Sequence, residues 1–438
     1  MDKKLSVGQM MAVSMMLFAM FFGAGNMIFP PMIGYLAGGN YVLGIIGFMV
    51  TDAGLSILGI AAIVFAGTHL NDLGNLVGPK FSIFLGLTIY FLIGPLFALP
   101  RTGTVSYEIA AIPFLGDHAG FASSVVFTLL FFVVTYILSI NPSKVVDIVG
   151  KVLTPVLLLS IAVIFILSVV KPMGEVAGPT GDYATMPFFK GLVEGYLALD
   201  GLAALAFAIV VITAIKDMGV NSSQGIIKYT VFCGIFAGIG LGVVYLALGF
   251  VGSQVSGEEG FANGGAILAS IVNRQMGTFG NAVLGLAVLL ACLTTAIGLS
   301  TSFSGYIHDL KPNWSYRSIL TVVVVFSFAV SNIGLSQMIK ITLPALVMVY
   351  PPIVTLTLLS FAKKFIGKNR ESYVLAMLFA LIIGIFDGLK TAAVDLGSVG
   401  EFLSSYIPFY DLGIGWVVPA IVGAALGLLP FVKFFKKA

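Results

Sequence analysis

Residues Phe18–Pro30 read FAMFFGAGNMIFP, and the chain is apolar on both sides of this stretch. At its centre Gly23, Ala24 and Gly25 are followed directly by the polar amide of Asn26. Glycine inside a helix costs about 1 kcal/mol relative to alanine, so a helix can come apart here. Backbone groups freed at membrane depth are tolerated only where they are buried in protein or line a polar cavity. The stretch therefore predicts a broken membrane helix, with close helix packing through the two small glycines as the alternative interpretation.

The composition is that of an integral membrane protein. Of 438 residues, 59% are hydrophobic and only 9% are charged, whereas soluble domains have about 25% charged residues. No small-residue cleavage site follows the first apolar segment, so we expect that segment to stay in the mature protein. The net charge of +3 gives no reason to expect a nucleic-acid partner. Cys233 and Cys292 lie in apolar segments and indicate neither a disulfide nor a metal site.

The apolar segments predict about twelve transmembrane helices, because roughly 20 residues of helix cross a bilayer. The predicted spans are residues 8–37, 41–67, 80–108, 120–140, 150–170, 188–215, 227–252, 278–306, 317–335, 341–362, 372–388 and 413–432. The predicted fold class is therefore an all-α polytopic membrane protein. We expect one transmembrane domain over residues 1–438, surrounded by membrane lipid.

The distribution of Lys and Arg predicts the orientation of the chain. With a cytoplasmic N-terminus, sixteen of the 22 basic residues fall on the cytoplasmic side of these spans. Positive charge favours the cytoplasmic side. We therefore expect both termini to be cytoplasmic.

A second candidate break lies in the sixth span, which contains GYLALDGLAALAF. Asp200 lies near the middle of this span and is followed by Gly201. An ionisable residue at that depth is costly and is by default a functional-site hypothesis. Glycine tolerates any backbone conformation and Asp can bond nearby amides, so the pair suits local unwinding. The alternative is a structural hydrogen bond that joins two helices.

The two breaks lie five spans apart, which predicts an internal repeat. Interrupted segments at corresponding positions of two halves are the best sequence indication of a transporter site. The predicted five-helix repeats cover residues 8–170 and 188–362, with inverted topology because five is odd. Residues 372–432 then add two helices.

The eighth span contains ACLTTAIGLS, in which Thr294 and Thr295 are adjacent. Hydroxyls in membrane helices often bond carbonyls of their own helix, and that is one explanation. Adjacent threonines also occupy neighbouring faces, so both can contact one small cation. Carbonyls near Ala19 and Phe22, at the end of the first half-helix, are candidates to complete such a site.

Other polar residues of the spans have simpler interpretations. Asp52, in the second span, is interpreted as a structural residue that bonds a neighbouring helix. Arg101 and Glu108 are interpreted as an ion pair at the outer rim of the third span. The sequence contains no phosphate-binding loop of the Gly-x-x-x-x-Gly-Lys type and no cluster typical of an intramembrane enzyme. We therefore expect neither ATP hydrolysis nor enzymatic activity.

Four motifs resemble known transporters. FFGAGNMIFP resembles the first-helix signature of amino-acid transporters with the leucine-transporter fold, in the amino acid–polyamine–organocation superfamily. GYLALDGLAALAF, ALPRTGTVSYE (Ala98–Glu108) and ACLTTAIGLS resemble the bacterial branched-chain amino acid:cation symporter family. The resemblance covers the whole chain in length, span number and motif order. It implies sodium-driven uptake of leucine, isoleucine and valine through the bacterial plasma (inner) membrane.

The resemblance also implies roles for individual residues. The substrate-binding residues it implies are Phe22, Ala24, Gly25, Asn26, Leu199, Asp200 and Leu202. The sodium-binding residues it implies are Ala19, Phe22, Ala291, Thr294 and Thr295, and no other metal is expected. Asn26 matches a ligand of a second sodium in some relatives, but its partner ligands do not line up here. Asp200 stands where those relatives have neutral residues, so it is either a partner of the substrate ammonium or a cation ligand.

Two other functions stay open from the sequence. One is a proton-coupled or uncoupled carrier of apolar amino acids, with Asp200 as the proton acceptor. The other is an ion channel, for which the chain offers no filter-like loop. The oligomeric state is not encoded in any of these patterns.

Overall fold

The computed structural model describes residues 4–67, 69–141, 146–367, 369–429 and 432, and every regular element in these ranges is helical. The α-helices are α1 Val7–Phe21, α2 Ala24–Ala37, α3 Tyr41–Met49, α4 Leu55–Ala66, α5 Leu70–Gly74, α6 Pro79–Phe91, α7 Ala98–Ser106, α8 Ile112–Leu115, α9 Phe121–Ser139, α10 Thr154–Val170, α11 Pro187–Ala198, α12 Asp200–Asp217, α13 Ser223–Ser253, α14 Gly264–Leu310, α15 Tyr316–Ser331, α16 Leu335–Phe361, α17 Lys363–Ile366, α18 Arg370–Thr391, α19 Gly397–Tyr406 and α20 Val417–Gly427. Single π-helical turns join α3 to α4 and α6 to α7.

The helices follow the predicted spans, and the all-α polytopic class is confirmed. Within the described ranges, eight helical stretches are long and apolar enough to cross a membrane, or nine when α11 and α12 count as one bent span. The stretch Ala24–Ala66 has 43 residues, about 65 Å as a helix, which is twice the roughly 30 Å of a bilayer core. It is interrupted between α2 and α3 by Gly38–Asn40. Three apolar helices, α1, α15 and α20, are shorter. The number of twelve stays a prediction, and the last predicted span, 413–432, ends partly outside the described residues.

The first predicted break is present. Helix α1 ends at Phe21, Gly23 is extended with φ −119° and ψ −155°, and α2 begins at Ala24. Close approach also requires glycine here, because a Cβ on Gly23 would lie 2.6 Å from Thr295 Oγ1. The two interpretations of this stretch, a break and a close packing contact, are therefore both correct.

The second break lies one residue before the predicted Asp-Gly pair. Helix α11 ends at Ala198, and Leu199 adopts the left-handed conformation with φ 78°. Helix α12 then begins at Asp200, bent by 45° from α11. A left-handed conformation costs a non-glycine residue about 1–2 kcal/mol, so tertiary contacts impose the break. Gly201 is helical, and its missing side chain leaves room for the Tyr350 hydroxyl, which would be 2.5 Å from a Cβ.

The half-helices pair crosswise. Helix α1 packs on α12, and α2 packs on α11. This pairing is what two antiparallel interrupted helices produce, and it brings both breaks to one level of the bundle. The predicted repeat boundaries, 8–170 and 188–362, and the additional segment 372–432 stay predictions.

Glycines allow the helices beside the breaks to pack with their backbones nearly touching. A Cβ on Gly252 of α13 would lie 2.0 Å from the carbonyl oxygen of Pro31 in α2. A Cβ on Gly191 of α11 would lie 1.9 Å from the carbonyl oxygen of Gly44 in α3. Since backbone atoms cannot move aside as flexible side chains do, these contacts fix the positions of α2 and α11.

Gly252→Ala is therefore expected to lower the free energy of unfolding by about 1–3 kcal/mol, the usual cost of overpacking. The matched control is Gly305→Ala in α14, where a Cβ meets no atom within 4 Å. Cys233 and Cys292 are both buried, so a thiol-reactive dye can follow unfolding on heating in detergent. The Tm should fall for Gly252→Ala and not for the control. Equal Tm values would contradict the close-packing argument.

Candidate functional site

The two breaks enclose a small cavity at the centre of the bundle. Its volume is about 20 Å³, which is room for a single water molecule. Residues from both broken helices, α7 and α14 line the cavity: Met20, Phe21, Gly23, Ala24, Gly25, Asn26, Ala98, Arg101, Thr102, Ala198, Leu199, Asp200, Ala203, Phe207, Thr295 and Leu299. Of the predicted substrate-binding residues, Phe22 and Leu202 are buried but do not line it.

The first turn of α2 lies at this cavity. Gly23 N donates to Asn26 Oδ1 at 3.1 Å, so the Asn26 side chain caps its own helix. The amides of Ala24, Gly25 and Asn26 occupy the first turn, where no helical carbonyl precedes them. The partial positive charge of a helix N-terminus favours an anion. The predicted contact of these amides with a substrate carboxylate is geometrically reasonable and stays a prediction.

Arg101 satisfies the free carbonyls on the other side of the cavity. Its guanidinium donates to the carbonyl oxygens of Leu197 at 3.2 Å and Ala198 at 3.1 Å, at the C-terminus of α11. A Cβ on Gly25 would lie 2.9 Å from the same guanidinium. A cation at a helix C-terminus is favourable, so Arg101 stabilises the second break and also contacts the first.

The rim ion pair predicted between Arg101 and Glu108 is wrong. The partners of Arg101 are backbone carbonyls, which a side-chain pattern cannot indicate. The available signal was its depth, since Arg101 lies inside the predicted span 80–108, and a basic residue within a span is by default a functional-site hypothesis.

The predicted sodium-binding oxygens lie together where α1 ends against α14. Thr294 Oγ1 donates to the carbonyl oxygens of Ala19 at 2.8 Å and Ala291 at 3.0 Å. Thr295 Oγ1 donates to the carbonyl oxygen of Met20 at 2.9 Å. Met20, which the sequence analysis did not name, thus contributes a further carbonyl oxygen here, and the predicted sodium contact of Phe22 stays a prediction. Hydroxyls and carbonyls from an unwound helix end are a donor set that fits a sodium ion.

A second polar group, here called the polar cluster, consists of Asn26, Asp52, Asp200 and Tyr245. All four side chains are buried, and they come from α2, the π-helical turn after α3, α12 and α13. Asn26 Nδ2 donates to Asp200 Oδ2 at 2.6 Å and to the Tyr245 hydroxyl at 2.5 Å. The Tyr245 hydroxyl donates to Asp52 Oδ2. The cluster therefore joins four spans directly beside the cavity.

Sequence reasoning did not connect Asp52 and Tyr245 with the site. Asp52 was interpreted as structural, although it lies near the middle of span 41–67 and an ionisable residue at that depth already indicated a function. Its position in a π-helical turn is a further indication, because such turns are frequent at functional sites. Tyr245 has no comparable signal in the sequence.

Two larger cavities lie at opposite ends of the bundle. One of about 530 Å³ is lined by α1, α6, α12 and α14, with Lys216, Asp217 and Asp309 at its edge. The other, of about 310 Å³, lies between α11, α16 and α18, with Lys190 and Asp387 in its wall. The central cavity lies at the helix breaks, between these two ends.

Comparison with known sequences supports the family indicated by the motifs. A family model described as "Branched-chain amino acid transport protein" matches residues 6–433. The branched-chain amino acid permease BrnQ of Bacillus subtilis is 42% identical over 431 residues, which is 98% of each chain. The permease BraB of the same organism is 43% identical over 428 residues, 98% of this chain and 96% of BraB. BrnQ of Escherichia coli is 34% identical over 433 residues, 98% and 97% of the two chains.

Two solved transporter structures share the fold. Mhp1, a nucleobase-cation-symport-1 family transporter, superposes with a TM-score of 0.62 at 15% identity, over 95% of this chain and 91% of Mhp1. MhsT in complex with L-phenylalanine superposes with a TM-score of 0.55 at 16% identity, over 98% of this chain and all of that chain. At these identities the likeness concerns the fold alone, and it confirms the leucine-transporter fold. The protein is therefore a multi-pass membrane transporter and not an enzyme, and it belongs to the branched-chain amino acid transport protein family.

Proposed function

We propose that this protein takes up leucine, isoleucine and valine through the bacterial plasma membrane by sodium-coupled alternating access. The observation that carries the proposal is the meeting of two broken helices at one cavity with an otherwise mainly apolar wall. The names of the relatives, branched-chain amino acid permeases, support the substrate class. The distribution of positive charge supports cytoplasmic termini.

The cavity offers complementary groups for an amino-acid zwitterion. The first-turn amides of α2, at Ala24, Gly25 and Asn26, would receive the carboxylate. Asp200 lies on the opposite helix break and would receive the ammonium group, or else contribute to a cation site. In this way both charges of the substrate are matched without bulk water.

The apolar side of the cavity would select the substrate side chain. Phe21 and Phe207 face one another with ring centroids 5.6 Å apart, and Ala203 and Leu299 complete the wall. One methylene more or less is worth only about 1–3 kcal/mol in such a pocket. The three branched-chain amino acids should thus compete with one another, and charged side chains should be excluded.

Sodium would bind between α1 and α14, at oxygens of Ala19, Ala291, Thr294 and Thr295, with Phe22 or Met20 supplying a further carbonyl. This position lies at the end of the half-helix α1, so the ion would join α1 to α14 only in some conformations. A ligand that binds two conformers with different affinity shifts the equilibrium between them. Sodium and substrate would accordingly favour one another's binding.

Transport requires the small central cavity to open alternately towards each end. The cavity of about 530 Å³ next to α1 and α12 lies at the predicted cytoplasmic end, and the one of about 310 Å³ lies at the opposite end. Movement of spans 1, 2, 6 and 7 against spans 3, 4, 8 and 9 would enlarge each path in turn. The backbone contacts between α2 and α13 and between α3 and α11 suit a group of helices that moves as one body.

The direct test is uptake of radiolabelled leucine into proteoliposomes at fixed pH, with and without an inward sodium gradient. Uptake should require the gradient and should be inhibited by isoleucine and valine, but not by lysine or glutamate. Uptake that follows a pH gradient and ignores sodium would instead establish the proton-coupled carrier, which the buried carboxyl groups of the polar cluster favour as the second candidate. Rapid flux without accumulation would indicate a channel.

Asp200→Asn keeps the shape of the side chain and removes its charge. Loss of a hydrogen bond to a charged group costs about 1.5–3 kcal/mol, so leucine uptake should fall at least about tenfold. The control is Asp117→Asn, at an exposed aspartate after α8 that lines none of the cavities described above. Both variants should keep the wild-type Tm in the dye assay. Near-normal uptake by Asp200→Asn would exclude Asp200 from the substrate and cation sites.

Combined replacement Thr294→Ala and Thr295→Ala removes two hydroxyls from the sodium site. At about 0.5–1.5 kcal/mol for each hydroxyl, the sodium concentration for half-maximal uptake should rise roughly tenfold. Ser304→Ala, in the same helix and as buried as Thr294, is the matched control and should leave this concentration unchanged. A sodium dependence identical to that of the wild type would refute the proposed position of the ion.

A further inference from the structure

Arg101 has more hydrogen-bond donors than its two bonds at the break of the sixth span use. A guanidinium has five N–H donors in a planar fork. Nη1 donates to the carbonyl oxygen of Leu197 and Nη2 to that of Ala198. Nε is buried and has no hydrogen-bond partner among the described residues. Because a buried polar group without a partner is costly, the fork is suited to a further acceptor besides the two carbonyls.

The positive charge of Arg101 also lacks a directly bonded counterion. None of the ion pairs among the described residues involves Arg101. Asp200 and Asp52 are near enough to attract the guanidinium, but neither lies within ion-pair distance of it among these contacts. Its two acceptors are neutral carbonyls, and hydrogen bonds between charged partners are stronger than bonds to neutral ones. An anion is therefore the acceptor that fits this position best.

The guanidinium lies against the first turn of α2. A Cβ on Gly25 would be 2.9 Å from Arg101 Nη2 and 3.1 Å from Ala198 Cα, so the start of α2, the end of α11 and the guanidinium meet at one point. Arg101 and Gly25 both line the central cavity. In a guanidinium, Nε and Nη2 share an edge that can bind a carboxylate through two parallel hydrogen bonds. This edge and the positive end of α2 favour an anion at the same place.

We propose that Arg101 recognises the α-carboxylate of the substrate and thereby selects amino acids against amines of the same shape. This inference rests on the proposed uptake of amino acids and adds the side chain that binds the carboxylate together with the first-turn amides of α2. The carboxylate occupies Nε and competes with the Ala198 carbonyl for Nη2. A hydrogen bond to a charged acceptor is roughly twice as strong as one to a neutral acceptor, so the carboxylate wins this competition. Arg101 thus links carboxylate binding to the position of α11.

Leucinamide tests the proposal, because it keeps the ammonium group and the side chain of leucine but has a neutral amide in place of the carboxylate. The affinity of the full chain in detergent for each ligand is measured from the ligand-dependent rise of Tm in the dye assay, at fixed sodium and at a pH where leucinamide is protonated. The wild type should bind leucine at least about tenfold more tightly than leucinamide. Arg101→Gln should lower the affinity for leucine by a similar factor and leave that for leucinamide unchanged. The control Arg274→Gln, at an exposed arginine paired with Glu258, should change neither affinity.

Three results would overturn the inference: equal affinity of the wild type for leucine and leucinamide, an unchanged affinity of Arg101→Gln for leucine, or an equal loss of affinity for both ligands. The last result would leave Arg101 only its role in stabilising the end of α11. If Arg101→Gln does not fold, Arg101→Lys takes its place, since it keeps the charge without the planar fork, and it should weaken binding of leucine but not of leucinamide. A wild type that binds no leucine would instead contradict the transport proposal, so the two failures are distinguishable.

Discussion

The structure depends on satisfying the backbone groups that two broken helices free in the middle of a membrane. Each such group would cost several kcal/mol if it faced hydrocarbon. Two single side chains and one pair of threonines, from three different segments of the chain, satisfy these backbone groups. Asn26 caps the start of α2, Arg101 accounts for the last carbonyls of α11, and Thr294 with Thr295 accounts for the last carbonyls of α1. Asn26, Arg101 and Thr295, which make the breaks tolerable, also line the cavity.

Glycine has two functions in this arrangement. At Gly23 and Gly25 it weakens the helix, and it also leaves space for Thr295 and Arg101, which would lie 2.6 and 2.9 Å from a Cβ. The partners that stabilise the broken ends can come near only because these positions have no side chain. A larger residue would therefore affect the break and its stabilising contacts together. This is why neither interpretation of the opening stretch excludes the other.

Local composition made some features predictable and left others hidden. The first break was predictable because Gly23, Gly25 and Asn26 are neighbours in an apolar stretch. The sequence predicts the second break at Asp200 and Gly201, whereas the structure has it one residue earlier, at Leu199. The difference arises because the left-handed conformation of Leu199 results from tertiary contacts and not from its own preference. The partners of Arg101 are backbone atoms in another span, and no residue pattern encodes them. The threonine site was indicated by resemblance to known transporters and not by spacing alone.

Asp52 also shows what local sequence cannot predict, and which contacts become visible only in the folded structure. By itself, an aspartate in the second span is compatible with a structural hydrogen bond, as the sequence analysis concluded. Only the packing of its π-helical turn against α11, α12 and α13 brings it to Asn26 and Tyr245. Asn26 then has four partners at once, since its Oδ1 accepts from the Gly23 amide and its Nδ2 lies within hydrogen-bond distance of Asp52, Asp200 and Tyr245. A change in the charge of Asp200 must act on Asn26, and through Asn26 on the amides that begin α2. The two ends of the proposed substrate site are therefore physically coupled through one side chain, without any need for a larger rearrangement to connect them.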